Sequence, residues 1–306
     1  MSSKFDIAVV GGGMTGLTAA QHAALAGRSV VHVIGSGIPG GLVANVGEVE
    51  GFPAIAPFSA LDLALKLTEE NAGLGIEPLA DDVERLEIAG DVKRLHLAGG
   101  DVIEARVVIA ATGARLKMLD VPGAERLFDK GVSQCAWCNG SLYRGGEVVV
   151  VGGGDSALQE ALHLAKFAST VTVVTHGEQL RARQSLIDKA AANDLISFRW
   201  ETEVTEIVGE DGVCAVRLRD KAGGGDDELA CRAVFVYIGL DPNVAWLGEA
   251  IERDARGFVV TDADLATRTP GLYAAGALRS GYLGRLTNAV GEATATAIAA
   301  ARRCGQ

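Results

Sequence analysis

The 306-residue chain is poor in aromatic residues, at 5%, and contains only 7 prolines and 5 cysteines. Five thiols are an odd number and too few to staple a small domain, so a disulfide scaffold is excluded and any paired cysteines are left for chemistry. Positive charge is in deficit: 28 Lys and Arg stand against 39 Asp and Glu, a net charge of -11 with no basic stripe. Such a surface repels phosphate backbones and anionic headgroups, which argues against nucleic acid and membrane as partners. Long hydrophobic runs are missing as well. The first apolar stretch, Phe5 to Val10, breaks at glycine, is too short to span a bilayer and lacks a signal-peptide cleavage region, so a cytoplasmic protein is expected.

Glycine is what the chain has in abundance, 40 residues within a composition that is 48% hydrophobic. That combination suits an α/β protein with tight turns and close backbone packing. At 306 residues the chain exceeds the ~100–200 of one domain, so two domains are expected.

The glycines fall into a pattern. Phe5 to Val10 reads as a strand, Gly11-Gly12-Gly13-Met14-Thr15-Gly16 as a turn, Leu17 to Ala26 as a helix and Ser29 to Ile34 as the next strand. Glycines at 11, 13 and 16 let the turn close, let backbone approach a pyrophosphate and let helix pack on strand, with the helix N-terminus facing the anion. A lone motif of this kind is weak, but it recurs. Glu147 to Val151, Gly152-Gly153-Gly154-Asp155-Ser156-Ala157, Leu158 to Phe167 and Thr170 to Thr175 repeat the unit at the same spacing. Each unit is followed by alternating apolar runs that read as an antiparallel meander: 83–88, 92–97 and 102–110, ending at Ala111-Thr112-Gly113, then 203–208, 213–218 and 228–237, ending at Ile238-Gly239. Two dinucleotide sites on one chain point to electron transfer between FAD and a nicotinamide cofactor.

Leu272 to Ala277, entered by Thr269-Pro270-Gly271, reads as a strand, and 288–303 as a helix. Neither belongs to the second repeat, so both return to the first domain. The expected fold class is α/β with two Rossmann-like dinucleotide-binding domains, each a three-layer unit of parallel sheet plus antiparallel meander, the second inserted into the first. Residues 1–116 with 246–306 would form the FAD-binding domain and 117–245 the NAD(P)-binding-like domain carrying the cysteine pair. Hinges are expected at Pro122-Gly123 and Asp241-Pro242-Asn243.

Cys135-Ala136-Trp137-Cys138 is the one CxxC pair, just ahead of the second glycine-turn strand. Cysteines three apart at a helix start close a small ring, and the helix dipole favours the attacking thiolate. Zinc would need four ligands; there is no second CxxC, and the histidines at 22, 32, 96, 163 and 176 do not cluster near the first, so no metal is expected. Cys214, Cys231 and Cys304 stand apart and receive no role.

These motifs together resemble the low-molecular-weight thioredoxin reductase family over essentially the whole chain, through GGGMTG at 11–16, GGLVANVGEVEGFP at 40–53, ATG at 111–113, CAWCNG at 135–140, GGGDSALQEA at 152–161, FVYIGLDPN at 235–243 and TPGLYAAG at 269–276. The resemblance implies FAD held by Gly11, Gly13, Met14, Thr15, Gly16, Gly41, Leu42, Ala111, Thr112, Gly113, Gly276, Ala277, Arg285 and Leu286. It implies NADP(H) or NAD(H) at Gly152, Gly154, Asp155, Ser156, Ala157, His176 and Arg181. Cys135 and Cys138 become the catalytic disulfide, with Cys138 the sulfur nearer the flavin and Cys135 the outward nucleophile. A homodimer is implied, as is a domain rotation that presents the disulfide alternately to flavin and substrate.

Several positions depart from the family pattern. Asn139 replaces an aspartate that handles the proton of thiol and disulfide interconversion, and a carboxamide is neither general acid nor base. Trp137 adds a ring that either shapes a hydrophobic substrate pocket or packs over the disulfide. Two adjacent arginines that mark NADPH are His176 and Gly177 here, leaving Arg181, while no acid ends the strand at Thr175 to mark NADH. Ala277 replaces an aspartate, and Leu42 and Leu286 replace glutamines, on the flavin side. The leading reading is an FAD-dependent disulfide reductase acting on a thioredoxin-like protein or a small-molecule disulfide. A small-molecule dithiol oxidase using O2, a ferredoxin-fed reductase, and a non-catalytic flavin- or nucleotide-binding regulator stay open beside it.

Overall fold

The protein is described by a computed structural model covering residues 4–221 and 223–305. It divides into two compact units, one running to Arg115 and resuming at Asp241, the other Leu116–Leu240. The path opens with β1 (Lys4–Val10), α1 (Met14–Leu25) and β2 (Val30–Val33), then α2 (Ala60–Gly73), β3 (Pro78–Leu79), β4 (Val83–Ala89), β5 (Val92–Leu97), β6 (Val102–Ala110) and β7 (Ala114–Leu116). The second unit holds β8 (Val132–Ser133), α3 (Ala136–Asn139), β9 (Glu147–Val151), α4 (Asp155–Leu164), β10 (Thr170–Val174), α5 (Gln184–Ala191), β11 (Ile196–Arg199), β12 (Thr202–Gly209), β13 (Val213–Asp220), β14 (Gly225–Ala230) and β15 (Ala233–Val236). The strand β16 (Leu240–Pro242) leads back to β17 (Leu272–Ala274) and α6 (Leu286–Cys304). Among the described residues no helix is long and apolar enough to cross a membrane.

In the first unit the sheet runs β3-β2-β1-β6-β5-β4, with β17 also on β6. Ile7, Ala8, Val9 and Val10 are all buried because β1 lies between parallel neighbours with both faces covered, which is why it reads as a continuous apolar run. Strand β6 does two jobs: residues 104–110 pair parallel with β1, while residues 102–105 pair antiparallel with β5 and 108–110 parallel with β17. One face is covered by α1 and α6, which meet through Ala19, Ala20 and Ala23 against Ala293, Ala297 and Ala300. Alanine at these positions lets two helix backbones approach closely, so this core contains few large side chains.

The second unit has a parallel sheet β11-β10-β9-β15-β8 and a separate antiparallel sheet β12-β13-β14. The run 228–237, expected as one strand, is two. β14 stays with β13, and after Cys231 the chain changes sheets: the Arg232 amide donates to the Glu147 carbonyl at 2.8 Å and opens the parallel pairing of β15 with β9. The strands β7 and β16 of the two connecting segments pair with each other. Pro122 and Gly123, expected as a hinge, lie inside the second unit instead. The Ile207 amide donates to the Pro122 carbonyl at 2.9 Å, and a Cβ on Gly123 would lie 1.9 Å from the Ile207 oxygen.

Candidate active site

In the first unit, the turn between β1 and α1 is tight for a steric reason. Gly11 has φ +129°, and a Cβ there would lie 2.1 Å from the Ala111 oxygen; one on Gly16 would lie 1.8 Å from the Gly11 oxygen. The buried His32 ring nitrogen Nε2 makes a 3.0 Å hydrogen bond with the Gly11 carbonyl, and burial lowers the imidazole pKa, so the neutral ring donates there. Gly13 is different: nothing lies within 3.8 Å of its would-be Cβ. It caps α1 without any side-chain hydrogen bond, and no acidic residue occupies the first turn, so the amide donors of Met14, Thr15 and Gly16 begin an unblocked helix end.

The other expected flavin-site residues gather around that end. The Gly40 amide donates to the Gly12 carbonyl at 2.8 Å, which sets Gly41 against Gly13. A Cβ on Gly276 would lie 2.4 Å from the Thr15 hydroxyl, so the turn after β17 meets the start of α1. Leu286 packs with Met14 and Leu17 alongside Val43, next to the half-buried Leu42. Ala111 stays on the sheet through its amide to the Val10 carbonyl, 2.8 Å. The Thr112 hydroxyl donates to the Asn243 carbonyl at 2.6 Å, and the Asn243 side-chain amide returns a bond to the Thr112 carbonyl, which ties the 111–113 loop to the returning chain. Ala277 is half-buried beside Gly276, and Arg285 is exposed at the start of α6.

Two residues here, Glu292 and Arg279, were absent from the sequence reading. Buried Glu292 accepts from the Gly276 amide at 2.8 Å and from Arg279 Nε at 3.1 Å, pairs again with Arg279 Nη2, and accepts from Asn288 at 3.2 Å. This cluster fixes the turn after β17. The signal was available: Glu292 lies on the same stripe of α6 as Ala289, Ala293 and Thr296, where a lone carboxylate demands partners.

The second glycine turn repeats the first. A Cβ on Gly152 would lie 2.3 Å from the Tyr237 oxygen, while Gly154 has nothing within 4 Å and caps α4 without a side-chain bond. Where the first turn requires Gly16, this one accommodates Ala157, fully buried. Ser156 lies in the first turn of α4, behind Asp155. The Asp155 carboxylate is committed within the protein: Oδ1 accepts from the Arg183 amide at 2.7 Å, and Oδ2 lies 3.1 Å from the Arg183 guanidinium. Arg183, missed in the sequence, is therefore ion-paired with Asp155. His176 and Arg181 are exposed, and the Arg181 amide donates to the Gly153 carbonyl at 2.8 Å.

The cysteine pair sits between β8 and α3. Cys135 and Cys138 are joined as a disulfide, with Cα atoms 5.3 Å apart. Cys135 is the N-cap of α3, and its sulfur accepts the Cys138 amide at 3.1 Å. Ser133 Oγ accepts from the Cys135 amide at 3.1 Å and from Asn139 Nδ2 at 3.2 Å. The carboxamide of Asn139 thus ties the end of the short helix to β8. Trp137 stacks on His163 of α4 at 3.8 Å between ring centroids, and Lys166 Nζ lies 5.8 Å from the ring centroid, so this partly exposed ring packs along α4. Beneath the helix, the Ala136 amide donates to the Tyr237 hydroxyl oxygen at 3.1 Å and lies within reach of Glu160. Glu160 is buried, its Oε2 has no hydrogen-bond partner, and burial pushes its carboxyl up to about 7.

The family model described as pyridine nucleotide-disulphide oxidoreductase matches residues 5–293. The chain belongs to this family. Among curated relatives, thioredoxin reductase of Bacillus subtilis is 36% identical over 298 residues, covering 96% of this chain and 92% of its own. Thioredoxin reductase of Listeria innocua is 36% identical over 290 residues, covering 94% and 90%. Among solved structures, Lactococcus lactis thioredoxin reductase superposes with a TM-score of 0.95 at 32% identity, covering 98% of this chain and 99% of that one. Membership makes the chain an FAD-dependent disulfide oxidoreductase with two Rossmann-like domains.

The residues present fit the family's flavin. The open space over Gly13 would be filled by a Cβ and lies at an uncapped helix N-terminus, which is the environment a pyrophosphate needs. The second turn offers the same cradle at Gly154. The two positions after Thr175 are His176 and Gly177, so no adjacent arginine pair follows β10.

Proposed function

We propose that the chain passes electrons from a reduced donor through FAD to the Cys135–Cys138 disulfide and on to a thioredoxin-like protein or a small disulfide, as a cytoplasmic homodimer. The observation that carries this is a CxxC disulfide at a helix start, on a chain that also holds two dinucleotide turns. FAD, when bound, supplies two-electron chemistry that joins a hydride donor to a disulfide. Gly11, Gly13 and Gly16 shape the turn that receives its pyrophosphate, with Met14 and Thr15 supplying helix-end amides. Gly41 and Gly276 close on that turn, and Leu42, Leu286 and Ala277 offer it apolar contacts in place of polar ones. Gly152, Gly154 and Ala157 shape the corresponding turn for a nicotinamide cofactor. After reduction the outward thiolate is assigned to Cys135, and the α3 N-terminus stabilises it.

His176 and Gly177 favour a second reading of the donor. A neutral imidazole and a glycine replace two guanidiniums, and Arg183 is held by Asp155, so the 2′-phosphate of NADPH would be met mainly by Arg181. NADH or a protein donor then competes with NADPH for this role. The test is an anaerobic titration of the flavin-loaded protein with NADPH and with NADH, following the flavin band near ~450 nm. Rapid bleaching by either nucleotide is the expected result. Bleaching by dithiols and by neither nucleotide would overturn the nicotinamide-fed reductase.

A further inference from the structure

The dithiol needs a titratable neighbour, and Asn139 cannot be it. Its carboxamide donates to Ser133 and has no proton to exchange. The elements packed around α3 offer few other groups. The end of β15 brings Tyr237, whose phenol is pushed up by burial and by nearby Glu160. From α4 come Glu160 and, one turn on, His163, whose imidazole is pushed down by burial and by Lys166. The turn 140–143 that follows α3 brings Tyr143, whose phenol is pushed up by burial, and the core these residues share is otherwise apolar, with Val148, Val150 and Leu186. Glu160 is the one carboxyl among these. It is 7% exposed, one oxygen lacks a partner, and the Ala136 amide alone favours its charge.

We propose that Glu160 is the proton-holding partner of the Cys135–Cys138 pair, ionised while the pair is a disulfide and protonated when a thiolate stands at the start of α3. The proposal rests on the dithiol reading above and assigns it a residue. The carboxylate lies at the Ala136 amide, next in sequence to Cys135, while the Cys135 sulfur takes the Cys138 amide; burial leaves the site poorly screened, so the two negative charges oppose each other. On reduction the S–S bond breaks, and two electrons from an external dithiol or the family's reduced flavin end on the sulfurs. One proton goes to one sulfur, leaving a thiol and a thiolate; a second goes to Glu160. When the thiolate attacks a substrate disulfide, a mixed S–S bond forms and one substrate sulfur leaves with the electron pair. The leaving thiolate takes its proton from solvent, and Glu160, no longer opposed to a thiolate, releases its own to water. Glu160 acts across the Ala136 amide, so it is a positioning residue for this chemistry.

The experiment uses the full, flavin-loaded chain. The pair is reduced with a dithiol, the reductant is removed, and alkylation of Cys135 and Cys138 by iodoacetamide is timed over a pH series from acid to mildly alkaline by peptide mass spectrometry. Alkylation reads thiolate. Glu160→Gln keeps a carbonyl acceptor for the Ala136 amide but removes the titration, and its fold is checked by circular dichroism. Wild type and Glu160→Gln should react alike below about pH 6, where Glu160 is protonated. Near pH ~8 wild type should lag, by about tenfold for one unit of opposing shift. Glu160→Asp, or Asn139→Asp added to Glu160→Gln, should restore the lag.

Superimposable profiles for wild type and Glu160→Gln, with both cysteines reacting, would overturn the assignment of Glu160 and leave the dithiol reading standing. If Tyr237→Phe removes the lag as fully as Glu160→Gln, the titrating group is Tyr237 and the inference also falls. A Cys135–Cys138 pair that does not exchange with oxidised or reduced lipoamide in wild type would sink the dithiol reading itself.

Discussion

Glu160 also has a consequence for stability whose sign can be worked out. Its carboxyl is pushed from 4.5 to about 7 by burial. At about 1.4 kcal/mol per unit, the ionised folded form is disfavoured by about 3 kcal/mol relative to the unfolded chain. Below the unfolded value the group is protonated in both states and costs nothing. Between 4.5 and about 7 the folded state holds a proton that the unfolded state has released, so stability falls as pH rises, and above about 7 the full cost is present. A neutral carboxamide in its place carries no such cost. The Glu160→Gln variant should therefore match wild type near pH ~4.5 and exceed it by up to about 3 kcal/mol near pH ~8.5. Hydrogen exchange on peptides covering 147–164, corrected for intrinsic rates, reads this as opening free energy. A wild-type-to-variant difference that is the same at both pH values would refute a buried, proton-linked carboxylate.

Other consequences follow from the same geometry. Glu292→Ala strands the largely buried Arg279 and the Gly276 amide, and should cost about 3–5 kcal/mol in urea unfolding; Arg279→Ala with Glu292→Ala should cost less than the sum of the two single variants, and strict additivity would contradict the cluster. Gly13→Ala leaves the packing intact, since nothing lies within 3.8 Å, yet fills the pyrophosphate cradle; flavin per chain should fall while circular dichroism stays as in wild type. Gly177→Arg adds one charge-assisted partner for a 2′-phosphate, and the Kd for NADPH should drop by about tenfold or more with NADH unchanged, as judged by flavin quenching. Cys214 is exposed, whereas Cys231 is buried with its thiol pushed up to about 12, so a maleimide should label Cys214 near pH ~8 and leave Cys231 unmodified in the folded protein.

The parts of this molecule that were legible in sequence are those where one residue type alone can satisfy local geometry. Gly11 and Gly152 have positive φ against a carbonyl, and Gly16 touches the Gly11 oxygen, so the turns had to be spelled in glycine. Strand β1 was legible because burial on both faces leaves no room for alternation. The break at Cys231 was not, because the stretch 228–237 has the same local pattern whether it pairs with one sheet or two; the partner strand decides, and partner strands are far away in sequence. Pro122-Gly123 reads as punctuation, and its close contact with Ile207 depends on a strand 84 residues further along the chain.

Glu160 and Glu292 expose a subtler limit. Both sit on the apolar stripe of a helix, Glu160 between Ala157 and Leu164, Glu292 between Ala289 and Thr296, and both reach a backbone amide on a neighbouring element. A stripe position says that a carboxylate is buried; it does not say what meets it. At Glu292 the neighbour is Arg279, with Asn288 beside it, and the carboxylate is a fixed acceptor that stiffens a turn. At Glu160 no cation is supplied, one oxygen is left over, and the same burial that makes Glu292 a structural anchor keeps Glu160 poised to change charge. The difference between an anchor and a proton store is one guanidinium, contributed thirteen residues away in one case and by nothing among the described residues in the other.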